Sequence, residues 1–297
     1  RYAELAAKFF DKQPATQVAV TGTNGKTSVA EFTRQIWQSL GHEAGSIGTL
    51  GVRSPRYSLP GGLTTPHPMG LHRALDTLVE CGVNHTAVEA SSHGLDGVTF
   101  KAAGFTNLTR DHLDYHKSEQ SYFYAKARLF GELLVPGDAA VINIDSNWGC
   151  VLDDIAWGRG LNKISVGRSE DASLRLLDQQ VTSLGQIIQF SYAGDNYSLE
   201  LPLVGGFQAE NALLAAGLVI ATGAEAGPSF SALETLSGVP GRMEYMGQSA
   251  AGGAVYVDYA HTPDGLSTVL KAARTHKPNN LHVLFGCGGD RDKGKRP

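Results

Sequence analysis

The sequence predicts an α/β protein: a mainly parallel sheet flanked by helices, with a small antiparallel sheet added to it. Three observations carry this. Short β-branched or apolar runs alternate with segments of helical spacing through the first half of the chain. The segments between those runs are long enough to be crossover helices rather than hairpin turns. From position 174 the pattern changes to short alternating runs joined by Ser-Leu-Gly and Gly-Asp turns, the signature of an antiparallel meander.

The elements follow in order. Residues 17–20 read as a strand, and 26–40 as a helix with apolar residues at Val29, Phe32, Ile36 and Leu40, closed by Gly41. A strand is expected at 44–52, a helix at 69–81 ending at Gly82, and strands at 85–89 and 104–108. A long helix at 118–134 is stopped by Pro136-Gly137, and 139–144 is a buried-type strand. The meander takes 174–177, 186–192 and 197–201, and helices follow at 208–222 and 231–237. After Gly241-Arg242 the chain restarts as strand 243–246, a turn at 251–253, strand 255–258, helix 263–275 and strand 281–285, the opening of a second, Rossmann-like domain. A domain boundary is expected near Pro240.

Composition narrows the function classes. The chain has 297 residues, room for about two domains, and its 42% hydrophobic content can build a core. Lys+Arg 25 against Asp+Glu 29 leaves a formal charge of −4, no footprint for a binder of nucleic-acid phosphates. The sequence shows neither a membrane-length apolar stretch nor the apolar core of a signal peptide, so a cytoplasmic protein without a membrane partner is expected. Cys81, Cys150 and Cys287 are far apart and form no CxxC pair, which points away from disulfides and structural zinc. Glycine is in excess, 36 of 297 residues or about 12% against a usual ~7%. Such an excess asks where the backbone must approach a ligand.

The sharpest local signal is Gly22-Thr23-Asn24-Gly25-Lys26-Thr27-Ser28, between a strand and a helix. Glycines let amides wrap a phosphate, the helix start adds partial positive charge, Lys26 reaches the terminal phosphates, and the Thr27 hydroxyl can bind Mg²⁺. The loop is shorter than the common G-x-x-x-x-G-K-[ST] form, because two residues separate Gly22 from Gly25. Glu89 ends a strand at the carboxyl edge of the sheet, where a metal-binding carboxylate is needed, although a solvated strand-end glutamate reads the same way. His112 and His116 follow another strand as candidate ligands or ordinary surface histidines. By spacing alone Lys126 and Arg128 read as a solvated helix face. Glu244 and Asp258-Tyr259-Ala260-His261-Thr262-Pro263 fit either an acid/base pair or a strand leading into an N-capped helix. The turn at 286–296, rich in Gly and charge, suggests a second anion site. Cys287 within it has no supporting histidine spacing and is set aside as a nucleophile.

Together the motifs GTNGKTS, Leu63-Thr64-Thr65-Pro66, Glu89-Ala90-Ser91-Ser92-His93-Gly94-Leu95, TNLTRDHLDYH, YAKARLF, GGFQAENALLAA, GRME, DYAHTPD and FGCGGDRDKGKRP, in that order, resemble the ATP-dependent Mur ligases, and among them the MurE type. The resemblance covers essentially the whole chain. It implies a P-loop-type ATP-binding central domain at 15–240, behind the end of a UDP-binding domain at 1–14 and ahead of the start of a C-terminal domain at 241–297. It also implies two Mg²⁺ ions, with Thr27 and Glu89 on one, His112 on the second, and a carbamylated Lys126 bridging them. An ammonium would repel the two ions, whereas its carbamate is an anionic oxygen ligand.

By the same resemblance Asn211 lies near the adenine, Arg242 and Asp258 contact the nucleotide, Thr64, Thr65 and Ser91 meet a UDP-N-acetylmuramoyl-L-Ala-D-Glu substrate, and Arg291 meets the incoming amino acid. His261 is a possible orienting group. The implied reaction is ATP-dependent amide formation through an acyl phosphate in peptidoglycan precursor synthesis, by a monomer, with diaminopimelate favoured over lysine as the added amino acid. A folylpolyglutamate synthase shares the loop, the glutamate, the histidine and the lysine, but Thr64-Thr65-Pro66, EASSHGL and DYAHTPD argue against it. A P-loop kinase or nucleotide-switched binding module is the rival of another class. Two departures are expected to matter: the Gln- and Arg-containing stretch usual after Asp96 is missing, and the segment that separates diaminopimelate from lysine users would follow Pro297.

Overall fold

The computed structural model describes residues 2–91, 95–109, 118–182, 185–276 and 278–286. The chain opens with α1 (Tyr2–Phe9), then β1 (Thr16–Thr21), α2 (Lys26–Ser39), β2 (Ala44–Gly48), β3 (Gly51–Arg53), β4 (Ser58–Leu59), α3 (Pro68–Glu80), β5 (His85–Glu89) and β6 (Ala102–Phe105). It continues with α4 (Glu119–Arg128), β7 (Ala139–Asn143), α5 (Asn147–Gly158), β8 (Asn162–Gly167), β9 (Leu174–Val181), β10 (Gln186–Tyr192), β11 (Asp195–Leu201), α6 (Phe207–Ala221) and α7 (Ala226–Ser231). Last come β12 (Glu244–Gln248), β13 (Ala254–Val257) and α8 (Pro263–Thr275).

The main sheet runs β11-β10-β9-β8-β7-β6-β1-β5-β2-β3-β4. Its strands from β9 to β2 are parallel, and antiparallel pairs finish both ends. The α/β class is therefore as the sequence predicts, with the meander joined edge-on to the parallel sheet; β12 and β13 form a separate two-stranded ladder. Alternate residues of each central strand feed two cores. Val18 and Val20 of β1 pack with α2 and α6, while Ala19 packs on the opposite face with α3 and α4. Both faces are buried, and because β5 and β6 pair parallel with β1 on either side, the carboxyl ends of the three strands lie together at one edge.

Several expected boundaries are corrected. The strand at 44–52 is a hairpin, because Gly48-Thr49-Leu50-Gly51 turns the chain, with Gly51 at φ +91°. The helix at 118–134 is α-helical only to Arg128 and closes with a π-turn at Leu129–Leu133. The helix expected at 231–237 is a 3₁₀ turn at Ala232–Thr235, and the α-helix, α7, lies ahead of it and ends at Ser231. Residues 281–285 join no ladder among the described residues, and Val283, Leu284 and Phe285 are exposed. The sequence reading also passes over α5 and β8. The signal for α5 is present, since Ser146 caps it through Gly149 N at 3.2 Å and Leu152 and Ala156 lie buried at i, i+4 spacing.

Two polar devices tie the site's elements together. Buried Glu31 on α2 accepts from Ser46 Oγ of β2, pairs with Arg34 at 2.8 Å and reaches Arg53 of β3 at 3.3 Å, so the β2–β3 hairpin is fixed to the helix behind the phosphate loop. At the opposite end of β5, His85 packs on Trp37 and on His42, with centroids 5.0 and 4.1 Å away. Burial, aided by the His42 charge, lowers the His85 pKa to about 4. The unfolded chain therefore binds more protons between the ordinary histidine value, ~6.5, and 4. Stability should fall as pH drops through that window. His85→Phe keeps a ring in place and should flatten this loss in urea melts at pH 7 and 4.5; an unchanged slope would remove His85 as its source.

Candidate active site

The phosphate loop lies where β1 meets α2, beside the ends of β5 and β6. Gly25 takes φ +88°, a backbone a side chain would strain, and a Cβ there would stand 2.5 Å from Asn211 Oδ1. The loop is clasped from outside by residues 106–109. Thr23 N donates to Asn107 O at 2.9 Å, Asn24 N to Asn107 Oδ1 at 3.0 Å, and Thr106 Oγ1 to Asn24 O at 2.6 Å. Thr23 Oγ1 accepts from Thr109 N at 3.0 Å. Helix α2 has no side-chain cap and no acidic residue in its first turn, so its first amides face the loop as an anion site. Lys26 Nζ rests on the Gly22 and Thr23 carbonyls, 3.0 and 2.8 Å away, at the loop's mouth.

Glu89 is the hub of the polar cluster. It is 2% exposed at the end of β5, and its Oε2 accepts from Thr27 Oγ1 at 3.0 Å and Thr49 Oγ1 at 3.2 Å. Its Oε1 accepts from Thr49 N at 2.8 Å. Arg242 Nη2 donates to Thr27 Oγ1 at 2.9 Å, across the whole middle of the sequence. Burial raises the Glu89 pKa, and Lys26, the Thr49 amide, the Thr27 hydroxyl and Arg242 act the other way. Thr49 went unnoticed in the sequence; the only signal was its place in a Gly-bounded turn.

The other expected residues sort around this hub. Thr65 Oγ1 donates to Glu89 O and accepts from Ser91 N, both at 2.8 Å, while Thr64 Oγ1 is 3.5 Å from Thr49 Oγ1. Ser91 lines a small cavity with Thr21, Ala90, Leu95, Leu129 and Lys126. Lys126 is 4% exposed rather than solvated, with Nζ 4.3 Å from the Tyr122 ring centroid. Asn211 Nδ2 donates to Gln208 Oε1 at 3.0 Å beside the loop. The Asp258 oxygens accept from Met243 N at 2.8 Å and Ala260 N at 2.7 Å. His261 rests on Tyr259, with Nδ1 3.0 Å from the Tyr259 carbonyl and centroids 5.0 Å apart. His112, His116, Cys287 and Arg291 lie outside the described residues.

Among the described residues no group of three or more His, Cys, Asp or Glu converges. The Thr27 and Glu89 oxygens are instead the sparse, hard donor pair that suits Mg²⁺, which keeps waters and phosphate oxygens for its remaining positions. No helix among the described residues is long and apolar enough to cross a membrane.

Comparison with known proteins gives a consistent picture. The Mur ligase middle domain matches residues 20–219, and the Mur ligase glutamate ligase domain matches 241–297. Proteins named UDP-N-acetylmuramoyl-L-alanyl-D-glutamate--2,6-diaminopimelate ligase are 51% identical in Bradyrhizobium diazoefficiens, over 98% of this chain and 62% of theirs, and 50% identical in Caulobacter vibrioides, over 100% and 63%. The chain thus spans about three fifths of the length of these curated relatives. A solved structure of a ligase of that name superposes with a TM-score of 0.80 at 32% identity, over 99% of this chain and 61% of that one. Folylpolyglutamate synthase from Mycobacterium tuberculosis, complexed with ADP and AMPPCP, shares the fold with a TM-score of 0.75 at 21% identity, over 91% and 69%. With the family match covering most of the chain and the phosphate loop, Glu89 and Asn211 all inside it, the chain belongs to the Mur ligase family.

Proposed function

We propose that this chain carries the ATP-binding core of a MurE-type ligase acting in the cytoplasm on peptidoglycan precursors, joining meso-diaminopimelate rather than lysine to the D-glutamate of UDP-N-acetylmuramoyl-L-Ala-D-Glu. The observation that carries it is the Thr27–Glu89 pair, 3.0 Å apart beside a phosphate loop, with Thr65 and Ser91 tied to the Glu89 backbone and Thr64 beside Thr49. The names of the relatives support the substrates. The domain division proposed is 1–14, 15–240 and 241–297.

In this reading the chain's residues act by binding and orienting. The first amides of α2 and the Lys26 ammonium hold the phosphates of ATP, Lys26 exchanging its loop carbonyls for phosphate oxygens. Asn211, against Gly25, is placed to border the nucleotide beside the loop. Thr27 and Glu89 would hold one Mg²⁺ and His112 a second, with a carbamylated Lys126 bridging the two; bound there, the ions would neutralise phosphate charge. The D-glutamyl carboxylate attacks the γ-phosphorus, ADP leaves, and the amine of the second substrate displaces phosphate from the acyl carbon. Atoms balance as ATP plus acid plus amine giving amide, ADP and phosphate. The step needs no protein nucleophile, which suits a site of hydroxyls, amides and one carboxylate.

The test is ADP and phosphate release from ATP and Mg²⁺. Turnover should require both the UDP-muramoyl-dipeptide and diaminopimelate, with lysine a poor replacement. Stimulation by folate and glutamate instead would assign the chain to the folylpolyglutamate synthases, and phosphate transfer without an amino acid would assign it to a kinase.

A further inference from the structure

Resting on the reading that Thr27 and Glu89 hold Mg²⁺, we propose that Thr49, at the tip of the β2–β3 hairpin, is a positioning residue that sets the Glu89 carboxylate for the metal. The spacing of the motifs does not single out this threonine. Its place against Glu89 does.

Thr49 meets both oxygens of the carboxylate. Its N donates to Oε1 at 2.8 Å and its hydroxyl to Oε2 at 3.2 Å, while Thr27 Oγ1 donates to Oε2 at 3.0 Å. The two threonines differ in what they can contribute. Thr27 Oγ1 is itself a ligand in the proposed site, so an ion bound to it and to Glu89 would take the place of the Thr27–Glu89 hydrogen bond and leave the two from Thr49. Two donors from one turn, one on each oxygen, fix the plane of the carboxylate. Hydrogen bonds that orient a metal ligand in this way are typically worth about 10–100-fold in metal affinity.

The turn is built to keep Thr49 in place. Gly48 precedes it because the carboxylate lies against the backbone: a Cβ on Gly48 would collide with Glu89 Oε1. Gly61 packs against the turn as well, where a Cβ would collide with Thr49 O. Behind the turn, Gly48 pairs with Gly51 and Ser46 with Arg53 in the ladder. Ser46 and Arg53 both bond Glu31, which is buried on α2. Helix α2 thus carries Thr27 in its first turn and, one turn on, the carboxylate that anchors the hairpin holding Thr49. The other neighbour of the Thr49 hydroxyl is Thr64 Oγ1, 3.5 Å away.

The test is calorimetric titration of the full chain with AMPPCP, in Mg²⁺ and in EDTA, on the parent, Thr49→Val and Thr49→Ser. Mg²⁺ should tighten AMPPCP binding in the parent. Thr49→Val keeps the shape and the amide but sets a methyl in place of the hydroxyl. It should cut the Mg²⁺-dependent gain by about tenfold, while AMPPCP affinity in EDTA stays within about twofold of the parent. Thr49→Ser returns the hydroxyl and should restore most of the gain. An unchanged gain in Thr49→Val would overturn the proposal and leave the hydroxyl to Thr64 and the acid substrate. An equal loss in EDTA and in Mg²⁺ would also overturn it, because that is the result for a turn that supports only the fold. If Thr49→Val does not fold, Thr49→Ala, which sets no methyl against Oε2, is read in its place with the same two outcomes. A parent whose AMPPCP affinity ignores Mg²⁺ would overturn the metal reading itself, a failure seen before any variant is compared.

Discussion

Glu89→Gln should lower Mg²⁺-dependent turnover by about 10²-fold or more while leaving the fold as stable as the parent at neutral pH, or more so. The two halves of this result have different causes. Gln keeps an oxygen to accept from Thr49 N, and its NH₂ can donate to the Thr27 and Thr49 hydroxyls, which can reverse their hydrogen bonds. The packing around a 2%-exposed side chain is therefore conserved. What disappears is a buried carboxylate whose pKa is raised by desolvation. A raised carboxylate pKa means the folded state pays for ionisation: as pH rises past the ordinary carboxylate range the folded chain holds the extra proton, and stability declines into the neutral region. Gln removes that cost, so the melting temperature at pH 7 should hold or rise. Turnover, in contrast, should lose the anionic ligand that the proposed reading assigns to Mg²⁺. Outer-shell partners of metals already cost 10–100-fold, so loss of the carboxylate itself should cost about 10²-fold or more. Activity near the parent's, with unchanged Mg²⁺ dependence, would exclude Glu89 from the site.

How much of this was legible in the sequence follows from the range of each interaction. The phosphate loop was legible because its geometry is local: Gly25, Lys26 and Thr27 sit within one turn, and the strand before them and the helix after them have clear periodicities. Glu89 was legible as a strand end but ambiguous as a ligand, since its burial depends on Thr49 from a hairpin that the sequence showed as one strand. Lys126 misled for the opposite reason. Spacing on α4 reads as a solvated face, whereas the side chain is buried beside Tyr122 and borders a cavity with Ala90, Ser91 and Leu95. The reach of Arg242 to Thr27 depends on a chain reversal that periodicity does not encode, and the resemblance, which implies a nucleotide contact for Arg242, says nothing of Thr27. The 281–285 run shows the limit: apolar composition predicts a strand, but a strand exists only where a neighbour completes its ladder.

The second large effect concerns Lys126, and it can separate a carbamate from an ammonium. Lys126→Met keeps the length and apolar contacts of the buried stem and removes the nitrogen, whereas Lys126→Ala also opens room beside the cavity lined by Thr21, Ala90 and Ser91. If the lysine acts as its carbamate, both variants should lose turnover on the order of 10²-fold or more, as an electrostatic group of an active site does. Acetate or another short carboxylate should then restore part of the activity in Lys126→Ala, where there is space for it, and little in Lys126→Met, where the side chain fills that space. If an ammonium were the working form, a carboxylate would rescue neither variant and a small primary amine would rescue the Ala variant. Incubation of the parent with ¹³C-bicarbonate gives a readout apart from turnover: a carbamate carbon resonance should be present in the parent and lost in both variants. Parent-like turnover in Lys126→Met would remove the nitrogen from the chemistry altogether and leave Lys126 as a packing residue over Tyr122.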